Sequence, residues 1–382
     1  MPIELKYLSP REQVKKVMRT WIADGELASG KMIPSESLIS RRLDLSRGTV
    51  RTALEELEVE GILEKRRHRR YVSGRAERKT AGVGNLVLLM GTSAEDSSKY
   101  RDTGFGLAVQ AGILDWMAEH SKNVISAHFD NIKMADLKLM LNLRPEGAIL
   151  TQKLMYSEFG APVLEMLKAQ HIPCILEYAD ERHADADKVL FDHEQGNYDL
   201  TRYAISLGCK DILCFYPDHT REYWFKARHR GYRKAIAEYG LEPMRPPEER
   251  PMTSEELYDQ EHFNKSVRMC IGFLYDYFQG ERRPDCILAN SDWEASITAA
   301  ACRKMGIQPN KDVLLMGFDN KAASNPWANF EATNPIATVD KHNTTLGRVL
   351  AETLFERING KLPPEPVLRM VKTDLVILNK GE

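Results

Sequence analysis

Arg47 and Arg51 stand four positions apart in the run Leu45-Ser-Arg-Gly-Thr-Val-Arg, with Thr49 between them and Ser46 just ahead. Four positions are about one helical turn, so in a helix the two guanidinium groups share a face. Guanidinium and hydroxyl donors on one face suit phosphate oxygens and base edges. A second cationic group, Lys65 to Arg70, lies between the apolar pairs Ile62-Leu63 and Tyr71-Val72. A third set is spread through the rest of the chain. Glu177, Asp192, Ser291, Asp292 and Asp319 each follow a short apolar run, and Arg228 precedes the helical pattern that ends Arg-Gly-Tyr-Arg-Lys-Ala-Ile-Ala-Glu-Tyr-Gly. An arginine among carboxylates suits a hydroxyl-rich solute, whose OH groups both donate and accept. Trp224 and Trp293 could each stack on a sugar ring or fill a core.

Other chemistry is not signalled. There is no GxxxxGK[ST] loop, GxSxG elbow or HExxH helix, and His68, His183 and His193 are scattered. The six cysteines, Cys174, Cys209, Cys214, Cys270, Cys286 and Cys302, form no CxxC pair and lie near no histidine at ligand spacing. No catalytic residue, metal site or cofactor is therefore assigned, and the thiols are expected to be reduced and structural. The start Met-Pro-Ile-Glu-Leu-Lys has no apolar core of a signal peptide, and no stretch approaches the roughly 18 apolar residues of a membrane span. A cytoplasmic location without membrane contact is expected.

The elements that must hold these residues follow from periodicity. Val14, Val17, Met18, Trp21 and Ile22 recur at helical spacing over 10–23. A loop bracketed by Gly25 and Gly30 leads to a second helix, with Ser35 as N-cap and Leu38, Ile39 and Leu43 as its inner face. The third helix has Ser46 as N-cap, a staple of Leu45 and Val50, a stripe of Val50, Ala53, Leu54 and Leu57, and a stop at Gly61. Gly48 costs that helix about 1 kcal/mol, which close approach of the backbone to a partner would explain. Ile62-Leu63 and Tyr71-Val72 read as two short strands around a basic tip. Residues 1–75 carry a net charge of +5 within a chain whose total is −2. A basic head on an acidic body points to an anionic polymer met by the head.

Residues 75–84 are small, polar and basic, as in a linker. From 85 to 382 apolar runs alternate with helical patterns. Leu86–Met90, Val124–Phe129, Gly147–Leu150, Pro173–Glu177, Val189–Phe191, Asp211–Phe215, Pro284–Leu288 and Asp312–Gly317 are the candidate strands. Buried strands between helices predict a doubly wound parallel sheet, and about 300 residues favour two lobes. In such sheets ligands bind beyond the carboxyl ends of the strands, where the polar residues named above stand.

The head resembles the winged-helix domain of the GntR family of bacterial regulators, on Pro34-Ser35-Glu36, Ser46-Arg47, Thr49-Val50-Arg51, Ala53-Leu54, Leu57, Gly61 and Tyr71-Val72. The resemblance implies DNA contacts from Arg47, Thr49 and Arg51, supported by Ser35, Ser46 and the wing, here Arg67, Arg69 and Arg70. Where the family usually has glycines at the wing tip, this chain has Arg67-His68-Arg69-Arg70. The body resembles the sensing domain of LacI/GalR repressors, which has the fold of periplasmic binding proteins. The matching segments include Pro145–Leu150, Val189–Asp192, Arg228–Tyr232, Asn290-Ser291-Asp292, Gly317-Phe318-Asp319 and Ala337–Asp340. It implies effector contacts at Arg228, Ser291 and Asp319, with Glu177 plausible; Asp192 and Trp224 complete the candidate set. A GntR head on a LacI-like body is the architecture of arabinose repressors, which raises a sugar as effector.

The expected architecture is thus a winged helix-turn-helix over 1–74, a linker over 75–84, and a two-lobed periplasmic-binding-protein-like domain over 85–382. The expected partners are double-stranded operator DNA, a small-molecule effector of the sugar class, and a second copy in a homodimer. The competing readings are a pyridoxal-phosphate aminotransferase-type body, for which no convincing Schiff-base lysine stands out, and a dimeric DNA-binding protein that responds to no effector.

Overall fold

The structure is a computed structural model and describes residues 9–23, 26–28, 30–66, 69–73, 86–92, 105–128, 139–141, 143, 145–216, 223–245 and 259–378. It divides into two compact units, Met1–Leu86 with Lys133–Glu146, and Val87–Ile132 with Gly147–Glu382.

In the first unit three helices, α1 (Pro10–Ala23), α2 (Glu36–Leu43) and α3 (Arg47–Val59), precede a hairpin of β1 (Leu63–Arg66) and β2 (Arg69–Val72). Local chemistry sets the boundaries. The Ser35 and Ser46 side chains accept from the N–H groups of Leu38 and Thr49, satisfying donors that a helix start leaves open. The turn between α2 and α3 is made by Asp44 in the left-handed region, φ 54°, and closed by Ser40 Oγ donating to Leu45 O at 2.6 Å. Gly61, φ 71°, turns the chain out of α3 at a conformation glycine adopts without strain. Val14, Met18, Ile39, Val50, Leu54, Leu57, Ile62, Leu63 and Val72 are buried together, each side chain contributing about 1.5–3 kcal/mol. Leu38, expected on the inner face, is 52% exposed; Ile39, about 100° further round the helix, is buried, and Leu43 packs half-buried against the same core.

The second unit contains two sheets among the described residues. One has the order β12-β7-β6-β5-β3-β4, the other β13-β11-β10-β9-β8. Their strands are β3 (Leu86–Thr92), β4 (Asn123–His128), β5 (Gly147–Leu150), β6 (Cys174–Leu176), β7 (Asp187–Phe191), β8 (Ile212–Phe215), β9 (Cys286–Ala289), β10 (Leu314–Met316), β11 (Ala337–Asp340), β12 (Leu368–Val371) and β13 (Asp374–Ile377). β5, β8 and β9 are buried along their whole length, as strands covered on both faces must be. The pairings β3–β5–β6–β7–β12 and β8–β9–β10–β11 are parallel. The expectation of parallel strands alone needs one correction: β13 runs antiparallel beside β11.

The chain passes between the two sheets three times, at Asp192 after β7, at Lys341-His342 after β11, and at Lys372-Thr373 between β12 and β13. These crossings are tied to one another. Asp192 N–H donates to Val371 O at 2.9 Å, Thr373 Oγ1 donates to Asp192 O at 3.3 Å, and His342 Nε2 lies 2.7 Å from Asp374 Oδ2.

In each lobe two helices cross at a glycine. Helix Tyr223–Glu238 meets helix His193–Ser206 where a Cβ on Gly231 would strike the Glu194 carbonyl. Helix Asn343–Ile358 meets helix Phe105–Glu119 with Gly347 against Val109 O and Gly112 against Thr344 O. Alanine is the better helix former by about 1 kcal/mol, yet here it must push two backbones apart. Gly231→Ala is expected to lower stability by about 1–3 kcal/mol in urea unfolding; an unchanged or raised midpoint would show that the crossing yields freely.

The described cysteines are free, Cys174 half-buried and the other five buried. Among the described residues no helix is long and apolar enough to cross a membrane.

Candidate functional site

The first unit presents Arg47 and Arg51 on the exposed side of α3, with Thr49 half-buried between them. Ser46 Oγ and Thr49 Oγ1 are 2.8 Å apart, so the cap also orients the threonine hydroxyl. Arg51 extends outward, its side chain 62% exposed and its Nε 3.4 Å from Glu36 Oε2. Arg66 and Arg69 are exposed on the wing, the Arg66 guanidinium lying over the Tyr71 ring at 5.2 Å. Arg67 lies outside the described residues.

Arg70 behaves differently from the rest of the basic run. Its side chain folds back among the helices, ion-paired with Glu58 and with Glu36 at 2.5 Å, while Glu55 stands 4.0 Å away. Burial opposes the ionisation of Glu36, but the Arg70 and Arg51 guanidinium groups outweigh it and hold the carboxyl below its ordinary value. Arg70 thus pins the wing to the starts of α2 and the end of α3, and its expected place among outward-facing cations is corrected: alternate strand residues face opposite sides, and Arg70 faces inward.

In the second unit side chains from the ends of several strands converge on Arg228. This arginine sits in the second turn of helix Tyr223–Glu238 and is 3% exposed. Its Nε donates to His193 Nδ1 at 3.3 Å, and its Nη1 donates to Asn290 O at 2.7 Å and Asn290 Oδ1 at 3.2 Å. The guanidinium lies 3.5 Å from the Phe318 ring centre and 4.8 Å from that of Trp224. Asn197 Nδ2 donates to Arg228 O at 2.8 Å and fixes the helix beneath.

Asp319 follows β10 and is buried, in the left-handed region at φ 92°. Its Oδ1 is 2.8 Å from Lys341 Nζ and 3.7 Å from Arg228 Nη2. Neither approach has hydrogen-bond geometry, so the attraction is one of charge. Lys341 follows β11 at the second crossing and lies 5.0 Å from the Phe191 ring centre. Glu177, after β6, is half-buried; burial pushes its carboxyl up to about 7, against the pull of Lys341. His193 is buried, and burial together with the Arg228 and Lys341 charges pushes its pKa far down, so it is a neutral acceptor through Nδ1.

The sequence reading is thereby divided. Arg228, Trp224 and Asp319 stand together, and Glu177 feels the charge of Lys341. Asp192 and Ser291 instead serve helix starts, accepting from Gln195 N–H at 3.0 Å and Glu294 N–H at 3.2 Å. Trp293 packs against the lobe core and donates to Lys321 O at 3.2 Å. His193 and Lys341 were not among the expected effector contacts, although Lys341 directly follows β11 and His193 stands two residues past β7. Together the described side chains offer cations, carboxylates and aromatic faces, which suit a small polar molecule.

Asp292 is fully buried, accepts from Lys321 N–H at 2.5 Å, and is pushed up to about 7 by burial. A carboxyl raised in the fold stabilises below its unfolded value, and that contribution is lost as pH rises through 7. Asp292→Asn should therefore remove a pH-dependent loss on the order of 2–4 kcal/mol between pH 4 and 8. Matched urea titrations of the two proteins check it; parallel stability profiles would refute the assignment.

Residues 10–72 match the bacterial regulatory proteins of the gntR family, and residues 201–377 match the periplasmic binding protein-like domain. The chain joins a gntR-type head to a periplasmic-binding-protein-like body. An arabinose metabolism transcriptional repressor of Geobacillus stearothermophilus is 26% identical over 366 residues, spanning 93% of this chain and 92% of its own. The transcriptional repressor PurR of Glaesserella parasuis serovar 5 is 22% identical over 233 residues, 60% of this chain and 62% of the repressor. Among solved structures, a complex of the transcriptional regulator CelR with cellobiose has a TM-score of 0.57 at 17% identity, covering 90% of this chain and 99% of that one. A LacI family transcriptional regulator from Enterococcus faecium with bound ribose has a TM-score of 0.55 at 17% identity, covering 78% and 99%. At such identities the structural likeness shows the fold of the two-lobed body.

Proposed function

We propose that this protein is a transcriptional repressor whose hold on double-stranded operator DNA is set by a small hydroxylated effector of the sugar class. The observation that carries the reading is the Arg228–Asp319–Lys341 cluster at the strand ends of a two-lobed body, on the same chain as a helix that exposes Arg47 and Arg51. The relatives are repressors, and the structural neighbours with cellobiose and ribose hold sugars on this fold. The head is taken as residues 1–74, the linker as 75–84 and the body as 85–382. The α3 face reads base edges in the major groove, with Ser35, Ser46, Thr49 and the wing cations Arg67 and Arg69 on phosphates. A Cβ on Gly48 would meet Ser46 Oγ at an ordinary 3.8 Å, so no clash within the head requires glycine there, and an approaching DNA backbone would explain its use.

One head reads one half-site, so a second copy is needed for a palindromic operator. Helix Phe105–Glu119 exposes Leu107, Ala111, Leu114 and Ala118 at spacings of four, three and four residues, a stripe suited to the same helix of another protomer. Sedimentation of the protein as a monomer at micromolar concentration would remove that support. The effector acts through its different affinity for two arrangements of the lobes, which changes how the paired heads are placed.

Selection of duplexes from a random pool, followed by anisotropy titration with and without a sugar panel, tests the whole. A recurrent palindrome whose affinity shifts at least about tenfold with one sugar is expected. Binding without sequence preference sinks the DNA reading, and a selected operator indifferent to every sugar sinks the effector reading. Arg51→Ala should weaken operator binding by about 1–3 kcal/mol and relax selection at one base pair; unchanged affinity would remove Arg51 from base readout.

A further inference from the structure

We propose, as a refinement that rests on the effector reading above, that the effector is a polyol carrying an anionic group, a carboxylate or a phosphate, and that Lys341 selects it by occupying Asp319. Among the described residues, Arg228 and Lys341 are two buried cations whose shared carboxylate is Asp319. The sharing is unequal. Lys341 Nζ is 2.8 Å from Oδ1, whereas Arg228 Nη2 is 3.7 Å from it. The carboxylate charge is therefore spent mainly on Lys341.

Beyond that 3.7 Å approach to Asp319, the partners of Arg228 are neutral. Its Nε and Nη1 donate to His193, held uncharged, and to Asn290. Its flat face rests on Phe318. These satisfy hydrogen bonds and packing, yet none cancels a charge, and a buried charge without a counter-ion is costly. Nor do the nearby acids supply the missing anion. Asp292 is engaged by Lys321 N–H, and burial raises both Asp292 and Glu177 to about 7, so neither is a settled carboxylate at neutral pH. A carboxylate or phosphate on the effector completes the pair that Arg228 lacks. The fork geometry of guanidinium suits either group in bidentate fashion.

The mechanism gives Lys341 a role that a merely structural lysine would not have. Without its charge, Asp319 becomes the full partner of Arg228, and the site turns electrically neutral. Discrimination between a charged sugar and its neutral parent should then collapse, while affinity for the neutral parent changes less.

Calorimetry on the intact protein tests this with matched pairs: galacturonate against galactose, gluconate against glucitol, arabinonate against arabinose, and ribose 5-phosphate against ribose. The expected result is at least one charged member binding about tenfold or more tighter than its neutral partner. In Lys341→Met that ratio should fall by about 10- to 100-fold, and in Lys341→Arg it should persist. Success confined to the acids identifies a sugar acid, and success confined to the phosphate identifies a sugar phosphate. A neutral sugar that binds as tightly as its charged partner overturns the charge preference and leaves the effector reading standing. No binding in any pair overturns both. A folded Lys341→Met protein with an unchanged ratio overturns the role of Lys341; should that variant fail to fold, loss of the ratio in Lys341→Arg does the same.

Discussion

Arg70→Ala is expected to abolish operator binding by loosening the head rather than by removing a phosphate contact. The Arg70 side chain is 12% exposed and joins Glu36 and Glu58, residues from two different helices, to the second strand of the wing. Removing it leaves two carboxylates facing each other at the junction of α2, α3 and β2. Breaking one side of a buried pair costs about 3–5 kcal/mol, and the partial exposure of Glu36 and Glu58 reduces this to roughly 2–4. The first melting transition of the intact protein should drop by several degrees, and binding should vanish at all salt concentrations. Arg69→Ala provides the contrast. That residue is exposed, so its loss should spare the melting transition and lower the slope of log affinity against log salt by about one. If Arg70→Ala melts like the parent and merely lowers the same slope, Arg70 is a backbone contact and the clasp is unimportant.

The different fates of Arg69 and Arg70 show where a linear reading stops. Both lie in one basic run, and nothing local separates them. The division comes from the two-residue period of the strand and from Glu36 and Glu58, which stand 34 and 12 positions away. Helix starts were legible because capping is local: Ser35 and Ser46 act on N–H groups three residues on. The strands β3 to β10 were legible because burial in the sheets writes short apolar runs. β11 and β12 were not, since Ala337-Thr-Val-Asp and Leu368-Arg-Met-Val are interrupted by polar residues, and β13 has an apolar run that is partly exposed, at Ile377 and Leu378. The same limit holds at the candidate site around Arg228. Position after a strand found Arg228's partner Asp319, but it also collected Asp192 and Ser291, because the residue types that cap helices are those that bind hydroxyl groups. Lys341 and His193 also lie just past strands, but nothing local marks either as buried. Their role is visible only once β11, β7 and helix Tyr223–Glu238 are brought together.

Arg228→Met should produce a protein that binds its operator and no longer answers its effector. Methionine fills much of the volume over Phe318 and avoids a void, so the lobe should fold. Asp319 keeps Lys341 as counter-charge, so no orphaned carboxylate is left behind. The stability cost should be confined to His193 Nδ1 and Asn290 O, each losing a donor, about 1–3 kcal/mol apiece where no water replaces it. Effector affinity should fall far more, by about 100- to 1,000-fold, because a charged, forked donor is removed from the point where the solute is held. Operator affinity without effector should stay near that of the parent, since the head is built on its own core of Val14, Met18, Ile39, Val50, Leu54 and Leu57. Arg228→Lys keeps the charge without the fork and should fall between the two. Calorimetry for the effector and anisotropy for the operator, on the same preparation, separate the outcomes. A full effector response in folded Arg228→Met would place the binding site elsewhere in the chain and with it undo the roles given to Asp319 and Lys341.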